Sequence, residues 1–250
     1  MAHPPSLSST ACKDAGSGKV LLRKRTYDAT KKKWSPWSDV YTRQPQELSF
    51  TYNFPRGGGQ LRIYANLLIS CHQRAVTDEL MECGNFRQYS IQSSPEPRTH
   101  FLLHENATVD FDGAAQPGYR YGSLRMKSRP LHSMLEIQEL SIRMQNMCQD
   151  RRAVKGSFWN IGVNPVLYRD GRDRIGYHAD NDQGEELILT VLVSSPVGAT
   201  RRICIRDIHF KTEGTKDKDE ELELRLDAGD AYSMDGKDIV CESHLLNPRG

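Results

Sequence analysis

Several things are missing from these 250 residues, and each closes off a class of protein. The six cysteines, at 12, 71, 83, 148, 204 and 241, form no Cys-x-x-Cys and no short regular spacing, which argues against a disulfide framework or a zinc knuckle. No apolar run approaches the roughly 20 residues that a membrane span needs, so no membrane partner is expected. The opening segment MAHPPSLSSTACKDAGSG has no apolar stretch and does not read as a secretory signal. The glycine run PRGGGQ at 55–60 is a loop without the Gly-Lys-Ser/Thr ending of a P-loop, so no nucleotide site is read there. No internal repeat is visible. Cys148 and Cys204 stand in apolar surroundings and read as buried thiols, which points to a reducing compartment, nucleus or cytoplasm.

What remains is the composition of an ordinary globular chain, 37% hydrophobic and 26% charged, long enough for one domain of about 200 residues plus an arm. A monomer is expected. Charge is unevenly placed. Residues 19–45 carry eight Lys/Arg against Asp28 and Asp39, a local +6, which leaves about −4 for the rest of a chain whose net charge is +2. Residues 1–18 read as disordered and 19–58 as a basic arm or linker, able to attract phosphate or to stay solvated. The domain proper is read over 59–250. Within it, Asn66 to Cys83 reads as a helix stopped by Gly84, and Pro130 opens a second helix through Cys148. The stripe Met134, Ile137, Leu140, Met144 and Met147 reads as core rather than as a cofactor contact. From Phe158 the pattern is all strands, interrupted by the polar run Thr212 to Glu221, which reads as an exposed loop.

The most informative stretch is FWNIGVNPVLYRDGRDRIGYHADND, from Phe158 to Asp182, which holds His178-Ala179-Asp180. His244 follows 64 residues after Asp180, next to the short apolar strand Asp238 to Cys241. Two imidazoles and a carboxylate can occupy one face of a ferrous ion and leave the opposite positions open. The same ligand types serve a zinc hydrolase, although no evident glutamate base accompanies them here. A lone His-x-Asp also fits a surface strand whose polar residues face water. Context favours the metal: Tyr168 to Asp173 is a turn signal, and the apolar run Glu186 to Ser194 reads as a buried strand. A ligand pair at a strand mouth, buried strands and a returning histidine fit a jelly roll.

The segment YRDGRDRIGYHADND resembles the iron-binding segment of the AlkB-like dioxygenases. GATRRICIR at 198–206, LDAGDAYSM at 226–234, Ser243-His244-Leu245 and the Tyr119-Arg120-Tyr121 piece resemble further parts of that family in the same order, over about residues 60–247. The resemblance implies an α+β fold: a double-stranded β-helix (jelly-roll) core with flanking N-terminal helices and a nucleotide-recognition lid. It implies Fe(II) held by His178, Asp180 and His244, with 2-oxoglutarate as cosubstrate touching Tyr168. It also implies Tyr119 and Tyr121 stacked near a target base and Asp182 at the base edge, in alkylated DNA or RNA. The implied reaction oxidises an N-alkyl carbon, which leaves as an aldehyde while 2-oxoglutarate becomes succinate.

Three departures qualify that picture. Val166 stands where the family has an asparagine two residues before the tyrosine, and Glu223 lies near a substrate-facing arginine of some members. The family's two arginines well past the second histidine have no counterpart before Gly250, so the domain reads as C-terminally truncated and weak in its grip on 2-oxoglutarate. The same chemistry on a protein or another target, or a catalytically impaired nucleic-acid binder, stays open.

Overall fold

The computed structural model describes residues 20–28, 30–42, 49–54, 60–91, 93–107, 118–121, 124–149, 162–169, 172–178, 187–191, 201–207, 219–235 and 239–245. Strands β1 (Val20–Asp28), β2 (Lys33–Trp34), β3 (Ser38–Thr42), β4 (Ser49–Asn53) and β5 (Gln60–Tyr64) precede helix α1 (Ser70–Glu82). Short strands β6 (Ser90–Ile91), β7 (Ser94–Pro95), β8 (Thr99–His100) and β9 (Leu102–His104) lead to the antiparallel pair β10 (Gly118–Tyr121) and β11 (Leu124–Pro130). A 3-10 turn at Leu131–Ser133 then opens α2 (Leu135–Gln149). The remainder is strand: β12 (Gly162–Val163), β13 (Val166–Leu167), β14 (Arg174–His178), β15 (Leu187–Val191), β16 (Arg201–Asp207), β17 (Asp219–Leu226), β18 (Ala231–Asp235) and β19 (Ile239–Leu245).

Two sheets make the core. One has the order β14-β19-β16-β17-β1-β2, with β3 also on β1, and the other runs β15-β18-β5-β4. Chain order therefore alternates between sheets: β14 in the first, β15 in the second, β16 and β17 in the first, β18 in the second, β19 back in the first. That wrapping is the one a jelly roll uses to bury both inner faces. Leu22, Ile203, Ile205, Leu222, Leu224 and Leu226 from one sheet meet Leu61, Ile63, Tyr232 and Met234 from the other. Their spacing by two along each strand is what puts them on one face.

Residues 20–53, read from sequence as part of a basic arm, instead contribute strands to both sheets: β1 pairs with β17 over six rungs, and β4 pairs with β5. The reason is charge matching at long range. Arg23 pairs Cα with Glu223, Lys24 with Leu222 and Arg25 with Glu221, so the basic strand finds its acids across the ladder. Glu220 and Glu221, placed by the sequence reading in an exposed loop, belong to β17, and Glu221 is only 1% exposed.

A second, smaller cluster holds the helices. Val76 and Leu80 of α1 pack with Phe101, Leu103, Leu131, Met134 and Ile137, and Met144 is buried as well, so the described part of the methionine stripe is core. The Glu79 carboxylate accepts the backbone N–H groups of Glu136 (3.2 Å) and Ile137 (3.0 Å), placing negative charge at the start of α2 where the helix dipole favours it. The turn Asp227–Asp230 fastens α1 to the β core. Asp230, fully buried, accepts N–H groups from Asn66 and Asp227, each at 2.9 Å, and Leu68 donates its N–H to the Gly229 carbonyl at 3.0 Å. Gly229 sits at φ +89°, and a Cβ there would lie 2.5 Å from the Leu68 carbonyl oxygen. Backbone cannot retreat from that contact. Gly229→Ala is expected to cost about 1–3 kcal/mol of stability, read as a lowered urea midpoint; an unchanged midpoint would mean this docking is dispensable.

Candidate active site

The two histidines of the motif pair lie on neighbouring, hydrogen-bonded strands. Along the β14–β19 ladder Arg174 stands opposite His244, Ile175 opposite Ser243, and His178 opposite Cys241, with a register irregularity between the last two rungs. His178 is thus the last described residue of β14, and His244 lies in β19, on different rungs of one antiparallel pair. On its other side β19 pairs with β16, where Arg202 stands opposite His244 and Arg201 opposite Leu245. Asp180 and Asp182 fall outside the described residues. Among those described, no group of three His, Cys, Asp or Glu side chains is gathered in metal-binding range.

The turn that feeds β14 is well fixed. Asp173, 6% exposed, accepts the Arg169 backbone N–H at 2.7 Å, and its two oxygens take Nε and Nη2 of the same arginine at 2.8 and 3.0 Å. That fork ties Arg169 to Asp173 with paired, charge-assisted bonds. Arg174 then donates its N–H to the Pro97 carbonyl at 3.0 Å, which anchors the first residue of the strand.

Tyr168 follows β13 and is half-buried. Over its ring lies the guanidinium of Arg201, with Cζ 3.2 Å from the ring centroid. Arg201 is only 3% exposed, and its burial weighs against the charged form, with Tyr168, Tyr232 and Asp173 pulling the other way. Reading the sequence missed this contact, because Tyr168 and Arg201 are far apart along the chain. It missed a second polar feature as well, on β8 beside β13 and the residues just before it. Glu96, Arg98 and His100 are all buried. His100 Nε2 lies 2.7 Å from Glu96 Oε2, its Nδ1 is 3.3 Å from Asn164 Oδ1, and Arg98 donates to Glu96 at 3.2 Å. The available signal was the cluster of Glu96, Arg98 and His100 within EPRTH, three polar or charged residues close enough in sequence to meet.

Tyr119 and Tyr121 lie on β10, the edge strand of the sheet β10-β11-β9-β12. Tyr119 stands opposite Met126, Arg120 opposite Arg125, and Tyr121 opposite Leu124. On β11 Met126 and Ser128 are buried while Lys127 between them is exposed, so the strand turns one face to the core and one to solvent. Glu223 is accounted for structurally. It is 2% exposed and lies among Arg23 (3.8 Å), Arg202 (3.6 Å) and Arg225 (2.7 Å).

A model of the 2OG-Fe(II) oxygenase superfamily matches residues 60–241, well over half of the chain. The chain belongs to that superfamily. This oxygenase is accordingly a dioxygenase that depends on Fe(II) and 2-oxoglutarate. The match spans the strands that build both sheets from β5 onward and stops three residues before His244. A search of curated proteins found no match. The residues of the oxygenase suit a ferrous ion in type, since its sequence offers imidazole and carboxylate donors.

One titrating group nearby sets a pH dependence of the fold. His104 of β9 is half-buried, its Nδ1 accepts the Asn106 N–H at 3.1 Å, and burial pushes its pKa below the usual 6.5. The unfolded chain therefore takes up the proton first, so the stability His104 contributes is complete above pH 6.5 and declines as pH falls through that value. Urea midpoints on either side of pH 6.5 should show this decline, and His104→Gln should flatten it. Identical slopes in the two proteins would remove His104 from the account.

Proposed function

We propose that this oxygenase removes N-alkyl groups from nucleic-acid bases in the manner of the AlkB-like dioxygenases. In this reading His178, Asp180 and His244 hold the iron, Tyr168 meets 2-oxoglutarate, and Tyr119, Tyr121 and Asp182 meet the base. The observation that carries it is the β14–β19 pairing: it sets side by side the two strands on which the AlkB-like motif has its histidines. When bound, Fe(II) and 2-oxoglutarate supply the oxidation of an N-alkyl carbon by dioxygen, with the keto acid leaving as succinate and carbon dioxide.

The chain's own residues divide the remaining work. Neutral imidazoles and an ionised carboxylate are required at the metal, which makes its binding weaken in acid. On the substrate side, β10 and β11 interleave Tyr119 and Tyr121 with Arg120, Arg125, Lys127 and Arg129. Aromatic faces stack on unpaired bases, and the cations neutralise the backbone that carries them. Chemistry on a base requires it to leave the stack, and single strands make that step easiest.

Tyr121→Ala is expected to weaken binding of a methylated single-stranded oligonucleotide by about 1–3 kcal/mol. Replacing Lys127 with alanine should instead weaken all sequences alike and lower the salt dependence by about one phosphate contact. Fluorescence titrations at two salt concentrations separate the two effects. Unchanged affinity in Tyr121→Ala, with a flat salt response in the parent, would turn the reading toward a target that is not nucleic acid.

A further inference from the structure

We propose that the outer face of the larger sheet is a second nucleic-acid contact, where a row of arginines grips the phosphates of a single strand outside the base site. The inference rests on the nucleic-acid reading above and adds a surface on a different sheet from Tyr119 and Tyr121. Strand periodicity defines that surface. Leu22, Ile203, Leu224 and Leu226 face the second sheet, so their chain neighbours Arg23, Arg202, Glu223 and Arg225 face away from it. Register then draws these residues together. Arg202 stands opposite Arg225 and Arg23 opposite Glu223, while Arg202 shares the His244 rung with Arg174, an exposed residue of β14. The arginines thus cross the sheet from β14 to β1, over four strand spacings or about 19 Å.

What makes the face a binding surface is its surplus of donors. Glu223 is the buried acid at its centre, and three guanidiniums surround it. Arg225 Nε donates to it at 2.7 Å, whereas Arg202 and Arg23 approach only to 3.6 and 3.8 Å, beyond hydrogen-bonding distance. Asp39 lies 3.4 Å from Arg23 and offsets part of the excess. Three guanidiniums bring about fifteen N–H donors, and one carboxylate accepts about four. Arg202 Nε is buried with no hydrogen-bond partner among the described residues, and the Arg202 and Arg225 side chains are 38% and 34% exposed. The acid beneath therefore orders the forks without saturating them. Phosphate suits the remainder, because guanidinium meets its oxygens as a planar fork. Along β1 the positive line continues past Arg25, clasped by Trp34 and Trp37, to the exposed Lys31, Lys32 and Lys33. A strand of regularly spaced anions fits such a line better than one small ion does.

The test titrates the full chain with a labelled, unmethylated oligothymidylate and reads fluorescence anisotropy at several salt concentrations. Arg202→Gln and Arg174→Gln are each expected to weaken binding about fivefold near 0.1 M salt and to lower the salt slope by about 0.7, one phosphate contact. Arg174 is exposed at the start of its strand, so its variant guards against poor folding in the other. Glu223→Gln separates binding from a purely structural role: it should tighten the strand by a comparable factor while lowering the urea midpoint. Arginines that served only to neutralise Glu223 would give the lower midpoint with no gain in affinity, which overturns the proposal. Tyr121→Ala is titrated alongside with a methylated strand. A loss there, with full affinity and salt slope in both arginine variants, would overturn this surface and leave the base reading standing. A parent that binds no strand would remove both, and one that prefers a labelled polyglutamate to the strand would assign the face to an acidic protein instead.

Discussion

Purified His178→Ala and Asp180→Ala variants are expected to lose the divalent metal that the parent holds at one ion per chain. Each side chain would supply one of three protein ligands, and two remaining ligands form a far weaker chelate. Removing an outer partner of a ligand already costs about 10–100-fold in metal affinity, so removing a ligand itself should exceed that. Because imidazole and carboxylate with open positions suit several first-row ions, Mn(II) or Ni(II) can replace iron in the assay and avoid oxidation. Metal content by mass spectrometry after desalting reads the result, and His244→Ala belongs in the same series. Its inclusion matters because the superfamily match stops before His244, so that its assignment rests on the AlkB-like motif and on the pairing of β19 with β14. Full stoichiometric metal in both the His178 and Asp180 variants would place the site elsewhere.

Arg25→Ala is expected to be the most destabilising change in the N-terminal segment, at about 3–5 kcal/mol. Its guanidinium is sandwiched between Trp34 and Trp37, with Cζ 4.7 and 4.5 Å from their ring centroids, and its Nε and Nη2 bond to Glu221. Glu221 is 1% exposed, so truncating the arginine takes its charge-assisted partner from a carboxylate that water scarcely reaches. The asymmetry of that cost gives a sharper check. Replacing Arg25 and Glu221 together by methionine should recover most of the loss, because a buried pair is worth little against well-packed apolar residues while half a pair is costly. Urea denaturation of the single and double variants decides it. A loss below about 1 kcal/mol in Arg25→Ala would mean that β1 is only loosely attached to β17.

That contact also explains where the sequence could and could not be read. Helix α1 was legible because Ala75, Leu80 and Cys83 follow a helical spacing and Gly84, at φ +61°, stops it. Its start was not: Asn66 and Leu68 are taken up by docking on Asp230 and Gly229, with Asp230 164 residues beyond Asn66. The basic arm and the acidic end of the expected loop, Asp219 to Glu221, were misplaced, and for one reason. Lys24 and Arg25 look solvated, and so do Glu220 and Glu221, until a separation of 196 residues brings them together in one ladder. Local pattern holds no trace of that pairing. The candidate site shows the same division. The superfamily chemistry was accessible because His178-Ala179-Asp180 and the turn signal before it stand in one local stretch. The contact of Arg201 with Tyr168 depends on two distant segments meeting and could only be seen in three dimensions.

The most direct test of the proposed function is a coupled count of products. The protein is incubated with Fe(II), 2-oxoglutarate, oxygen and an N-methylated single-stranded oligonucleotide, and succinate, formaldehyde and oligonucleotide mass are measured together. The account predicts one formaldehyde and one lost methylene unit per productive succinate, with all three signals absent when His178 is replaced by alanine. Succinate release with no aldehyde and no change in mass, across methylated DNA and RNA alike, would contradict it.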